Sequence, residues 1–149
     1  MKPIYILNGP NLNLLGQREP GIYGPDTIAD LERRCAAKAK SVGHTIEFRQ
    51  TNTEGELINW IHEAQEKACG IIVNGAAYTH TSVALHDALK AVNLPTIEVH
   101  LSNIYKREPF RHHSYISPVA HGVICGFGGQ SYELAIEGLS NILKSTGKG

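Results

Sequence analysis

Four stretches of the chain hold side chains able to move protons or grip an anion. The first is Asn8-Gly9-Pro10-Asn11-Leu12-Asn13-Leu14-Leu15-Gly16, followed by Arg18 and Tyr23. The second is Asn74-Gly75-Ala76-Ala77-Tyr78-Thr79-His80, the third is Glu98-Val99-His100-Leu101-Ser102, and Arg111 lies in the fourth. Amides, hydroxyls, imidazoles and guanidinium groups gathered in one place would suit a polar, anionic small molecule. Taken singly, each residue has an ordinary structural explanation. Asn8, Asn11 and Asn13 are turn formers whose amides can serve the local backbone. Tyr23 can anchor a Gly/Pro-rich loop, Arg18 can be a solvated surface charge, and His80 can help to cap a helix. Glu98 and His100 can be polar decoration on alternate strand positions. The choice between these explanations turns on whether the fold brings the stretches to one edge.

Short apolar runs alternate with stretches of helical periodicity along the whole chain. Residues 4–7 are apolar on both faces, as a strand buried in a parallel sheet must be. Asp26 is placed to cap a helix whose apolar positions Ile28, Leu31, Cys35, Ala39 and Val42 recur at spacings of three and four. A second strand follows at residues 45–50. Thr53 and Glu56 make a capping-box pattern ahead of Leu57, Ile58, Ile61 and Ala64, and Gly70 opens a third strand at 71–73. A helix over 82–92 carries Val83, Leu85, Ala88, Leu89 and Val92, and Pro95 introduces a fourth strand through Ile97 and Val99. The fifth strand is expected at 122–127. A closing amphipathic helix over 131–143 turns Leu134, Ile136, Leu139, Ile142 and Leu143 inward.

Five such units predict one α/β domain over residues 1–149. Its doubly wound, flavodoxin-like parallel sheet has strand order 2-1-3-4-5 and helices on both faces, with 144–149 as a loose tail. The connections 8–25 and 101–120 are longer than packing needs, and long ordered loops in compact domains are usually functional. Ligands of open α/β sheets bind beyond the carboxyl ends of the strands at the topological switch point, here between strands one and three. The four stretches fall at those ends, although the strands were placed from periodicity and not from the polar residues.

Composition removes several classes. Fourteen basic residues balance fourteen acidic ones, leaving no positive field to hold nucleic acid or an anionic membrane surface. No apolar run approaches the roughly 20 residues of a membrane span, and the first residues carry no basic or signal-like segment, so a cytoplasmic location is expected. Cys35, Cys69 and Cys125 are widely spaced and odd in number, and are expected to be small buried apolar residues. Histidines 112 and 113 stand near His80 and His86, but adjacent histidines seldom share one metal and no carboxylate-rich set accompanies them. The turn after strand one fits neither glycine-rich phosphate pattern. Asn8 and Asn74 stand where a receiver-type phosphoacceptor would need acidic residues.

Five spaced blocks carry a family resemblance: residues 8–24 (NGPNLNLLGQREPGIYG), 78–89 (YTHTSVALHDAL), 98–104 (EVHLSNI), 109–117 (PFRHHSYIS) and 122–136 (GVICGFGGQSYELAI). Over nearly its whole length the sequence resembles the type II 3-dehydroquinate dehydratases. The resemblance implies a hydro-lyase that reversibly dehydrates 3-dehydroquinate to 3-dehydroshikimate without metal or organic cofactor, in the shikimate pathway or in quinate breakdown. It also implies small subunits assembled as a dodecamer of trimers. By the same resemblance Tyr23 is the base, helped by the charge of Arg18, and His100 is the acid, with Glu98 fixing its tautomer. Asn11 would hold a water or hydroxyl against the enolate oxygen. Asn74, His80, the backbone amides of Leu101 and Ser102, and Arg111 would place the substrate, while Asp87 would reach a neighbouring subunit's site. Residues 16–24, with Pro20, Gly21 and Gly24, are expected to act as a lid. The chain departs from the family at Asn74-Gly75-Ala76-Ala77, where Asn-Pro-Gly-Ala is more usual, at His86, where arginine is more frequent, and at Tyr105, often histidine.

Overall fold

The strands are Ile4–Asn8 (β1), Ile46–Gln50 (β2), Gly70–Asn74 (β3), Thr96–His100 (β4) and Gly122–Cys125 (β5). They form one wholly parallel sheet in the order β2-β1-β3-β4-β5. The computed structural model describes residues 1–17 and 19–147. The helices are Pro20–Tyr23 (α1), Ile28–Ser41 (α2), Glu54–Lys67 (α3), Val83–Val92 (α4) and Gln130–Ser145 (α5). Among the described residues no helix is long and apolar enough to cross a membrane.

Strand periodicity separates two apolar layers. Ile4 and Ile6 of β1 pack with Leu31, Cys35 and Ala39 of α2 and with Tyr132, Ile136 and Leu139 of α5. Tyr5 and Leu7, pointing the other way, pack with Leu57 and Ile61 of α3 and Leu85 and Leu89 of α4. Burying each large aliphatic side chain contributes about 1.5–3 kcal/mol. The three central strands are fully buried, which explains their lack of polar alternation.

Several local expectations are corrected. Thr27, not Asp26, caps α2: its hydroxyl accepts from Asp30 N–H and Asp30 accepts from Thr27 N–H. Asp26 has an alanine three residues on and cannot form that reciprocal pair; it binds Arg34 instead. At α3, Thr53 makes no side-chain cap, and its N–H, which the reciprocal bond to Glu56 would need, is bonded to Thr51 Oγ1 at 3.0 Å. β5 stops at Cys125, where Gly126 turns to φ +98°. Helix α5 runs on to Ser145, two residues into the expected tail. Its inward stripe is Tyr132, Ala135, Ile136, Leu139 and Leu143, whereas Leu134, two residues from Tyr132 and so on another face, is exposed. Cys35 is buried, but Cys69, just before β3, and Cys125, on the edge strand, are only half-buried.

The sheet positions the site through the close approach of two turns. Asn8 and Asn74 are paired at the ends of β1 and β3, and Gly9 N–H then bonds the Asn74 carbonyl at 2.9 Å. A Cβ on Gly9 would lie 2.5 Å from the Gly75 carbonyl oxygen and 2.9 Å from its carbonyl carbon. Backbone cannot rotate aside as a side chain can, so Gly9→Ala forces the turns apart. The variant is expected to lose about 1–3 kcal/mol or more, read as a lowered urea midpoint; an unchanged midpoint would mean that the approach is not tight.

Candidate active site

Beyond Asn8 and Asn74 the chain diverges, from β1 toward β2 and from β3 toward β4, and a cavity of about 230 Å³ occupies the gap. Asn11 enters from the loop after β1, Tyr23 from the end of α1, and Asn74, Ala76 and His80 from the turn after β3. His100, Leu101 and Ser102 enter where β4 ends, and Arg107 and Arg111 come from the second long loop.

The deepest charge is Glu98, fully buried on β4. Its carboxylate accepts from His100 Nε2 at 2.5 Å, from Ser114 Oγ at 3.0 and 3.1 Å, and from Ser117 Oγ. The Ser114 oxygen already accepts the N–H groups of Ile116 and Ser117, so its one proton goes to Glu98. Burial alone would raise the Glu98 carboxyl, but the bond and charge of His100, with the bonds from Ser117 and Ser114, outweigh it and hold the carboxyl below its ordinary value. Nε2 of His100 is committed to Glu98, leaving Nδ1 as the nitrogen for a ligand.

The His80 ring lies nearly parallel to that of His100, with centroids 6.3 Å apart. Its Nδ1 is 2.8 Å from the His113 carbonyl, which can only accept, so Nδ1 carries the proton. Burial chiefly, then the charges of His100 and Arg111, lower its pKa against the opposing pull of the His113 carbonyl and Glu98. The ring is therefore neutral near pH 7 and offers Nε2 as an acceptor.

Tyr23 is 9% exposed. Its hydroxyl accepts from Arg107 Nη2 at 2.8 Å, and the same guanidinium lies over its ring at 5.0 Å. Arg107 also reaches Ser102 Oγ at 3.4 Å. Arg111 is held by Glu108 through Nε at 3.1 Å. Asn11 takes a left-handed turn, φ +69°, pinned by its N–H to Asn52 Oδ1 at 2.9 Å, and Gln50 Nε2 bonds the same oxygen at 3.2 Å. The arrangement places a cation-supported phenol and a carboxylate-supported imidazole around one small cavity, which is the equipment for removing one proton and supplying another.

A family model described as dehydroquinase class II matches residues 2–140. The chain belongs to the class II dehydroquinase family. It is 58% identical over 143 residues to the 3-dehydroquinate dehydratase of Sinorhizobium medicae, covering 96% of this chain and 97% of that one. It is 60% identical over 136 residues to 3-dehydroquinate dehydratase 2 of Pseudomonas aeruginosa, covering 91% and 92%. The crystal structure of the type II dehydroquinase from Propionibacterium acnes superposes with a TM-score of 0.90 at 45% identity, over 95% of this chain and 97% of that one.

In this class II dehydroquinase, Tyr23, His100, Asn11, Asn74, His80, Leu101, Ser102 and Arg111 all line the cavity, with Glu98 directly behind His100. Arg18 lies outside the described residues. Asp87 is exposed on α4 and is not among the cavity-lining residues. Asn8, weighed as a turn former, makes a structural bond from Nδ2 to the Arg49 carbonyl at 3.0 Å. Sequence reasoning missed Arg107, Ser114, Ser117 and Asn52. The only signal for Arg107 was a second arginine in the same long loop as Arg111.

The Glu98 clamp has a measurable consequence. Its carboxyl is depressed, so its contribution to stability is present above the ordinary carboxylate range and is lost as pH falls through the lowered native value. Replacing Ser114 and Ser117 together by Ala removes two of the opposing bonds and leaves burial in place. The Glu98 titration midpoint, followed by carboxyl carbon NMR, should move upward and acid unfolding should begin at higher pH. A midpoint identical to that of the parent would show that the serines do not hold the charge.

Proposed function

We propose that this chain dehydrates 3-dehydroquinate to 3-dehydroshikimate through an enolate, with Tyr23 as base and His100 as acid. Membership of the class II dehydroquinases supports the dehydratase activity, and the relatives named 3-dehydroquinate dehydratase match over nearly their full length. The observation that carries the residue roles is the Arg107–Tyr23 hydrogen bond in the same cavity as the Glu98–His100 pair.

The steps follow from these groups. Tyr23, as a phenolate stabilised by the Arg107 guanidinium, removes a proton from the carbon beside the substrate ketone. Arg18, on the same loop, adds its charge. The electrons move onto the ketone oxygen, where Asn11 holds a water or hydroxyl that donates to the developing enolate. The enolate then collapses and expels the hydroxyl on the next carbon. His100, as an imidazolium stabilised by Glu98, gives that hydroxyl a proton through Nδ1, and water leaves. Tyr23 ends protonated and His100 neutral, and a proton passed between them resets the site. Arg111, neutral His80, Asn74 and the amides of Leu101 and Ser102 place the ring hydroxyls and the carboxylate.

Residues 16–24 act as a lid, with Gly16 and Gly24 in left-handed conformations, φ +87° and +88°, at its two ends. Asp87 completes the site of a neighbouring copy in a dodecamer of trimers. The chemistry needs neither metal nor organic cofactor.

The purified protein mixed with 3-dehydroquinate should generate the ultraviolet absorbance of the conjugated enone, unaffected by a chelator or by borohydride. Absence of that signal would overturn the substrate assignment, and sensitivity to either reagent would overturn the cofactor-free mechanism. Tyr23→Phe should lower kcat by about 10²- to 10⁴-fold, and Arg107→Gln by about 10- to 100-fold. Near-parental turnover in Tyr23→Phe would remove the tyrosine from the base role.

A further inference from the structure

The proposed mechanism gives no role to Tyr132, a fully buried side chain with a polar hydroxyl. Tyr132, on α5, is 0% exposed, and its hydroxyl reaches between the carboxyl ends of β1 and β3. It donates to Asn8 Oδ1 at 2.6 Å and accepts from Asn74 Nδ2 at 2.9 Å. Asn8 Nδ2 in turn donates to the Arg49 carbonyl at 3.0 Å, and Asn74 Oδ1 accepts from Ala76 N–H at 3.1 Å. The four bonds form a chain of one polarity, from the Ala76 N–H to the Arg49 carbonyl. Both ends are backbone groups that cannot exchange donor for acceptor, so every amide and hydroxyl between them has one permitted orientation.

Two of the groups ordered in this way face the cavity. Asn74 and Ala76 both line it. Ala76 stands at φ +50°, a left-handed conformation that a residue with a Cβ adopts only when its surroundings impose it. Its bond to Asn74 is one such constraint, and Asn74 is itself held by Tyr132. One N–H of the Asn74 amide is taken by Tyr132, which leaves the other for a ligand. Burial pushes the Tyr132 phenol well above its ordinary value, against the opposing pull of the Asn74 bond, so the hydroxyl stays neutral and exchanges no proton with the site.

We infer that Tyr132 is a positioning residue for the reaction: it fixes the Asn74 amide and, through it, the left-handed Ala76 turn, and thereby sets how tightly the substrate is held. This rests on the dehydratase reading above, because Asn74 must meet the substrate. Tyr132 acts on binding, and the proton transfers at Tyr23 and His100 proceed without it.

Tyr132→Phe removes one oxygen and keeps the buried ring. The expected result is a rise of about tenfold in KM for 3-dehydroquinate, with kcat within twofold of the parent and its pH profile unmoved. Asn74→Ala should raise KM on its own, and Tyr132→Phe should add little to it, because both remove the same restraint. A Tyr132→Phe protein with lowered Tm but parental KM would overturn the inference, as would a loss confined to kcat or full additivity with Asn74→Ala. Should Tyr132→Phe fail to fold, Asn8→Ala breaks the far bond and keeps the tyrosine. It should raise KM in the same direction by a smaller factor, and a parental KM there would equally overturn the proposal. Parental enzyme without turnover would overturn the function reading and this inference with it, whereas the variant results above overturn the inference alone.

Discussion

The parallel pairing of β1 with β3 runs from Ile4 against Gly70 to Asn8 against Asn74, and every functional side chain is placed relative to where it stops. Both strands are buried on two faces, so their polar backbone groups must be satisfied along the sheet. At the last pair the two chains turn away from one another, and the backbone is no longer covered on that side. The separation of the two connections makes the cavity, and the contact of Gly9 with the carbonyls of Asn74 and Gly75 keeps its floor closed.

From that floor the site is built by two long loops that have little regular structure. One brings Tyr23 and the other brings Arg107 and Arg111, and the Tyr23–Arg107 contact joins them. Each loop needs the other to form this contact at the cavity. β4, by contrast, is rigid and buried, and it supplies the pair that must not move, Glu98 and His100. On the proposed mechanism the base comes from a loop and the acid from a packed strand, a division set by which elements are packed on both faces.

The sheet order, the layers and most cavity residues were legible because their signals are local. Ile4 to Leu7 show their double burial in four residues, and the helix stripes show theirs over a few turns. The two capping errors arose where neighbours compete: Thr51 took the N–H that a capping box at Thr53 needed, and Asp30 gave Thr27 the advantage over Asp26. Arg107 was not legible because its partner lies 84 residues away in another loop. Ser114 and Ser117 were hidden for a similar reason, since a serine declares nothing until the carboxylate it serves is known. Tyr132 was not singled out in the sequence, because its hydroxyl meets a residue 124 positions earlier. Asp87 is exposed on α4 and does not line its own cavity.

If His100 is the acid proposed above, the environment of Glu98 bears on the return of its proton in a way that its distances do not express. The partners described for its carboxylate are all donors, and Ser114 is prevented from turning over by the two backbone N–H groups it already accepts. In water, creating an imidazolium beside a carboxylate requires surrounding dipoles to reorient, and that reorganisation energy is part of the barrier. Here the dipoles are frozen in the orientation that the charged pair demands before any substrate arrives. On the proposed mechanism His100 is recharged at the close of each turnover, and the fold has already made, once during folding, the rearrangement that water would otherwise repeat at that step.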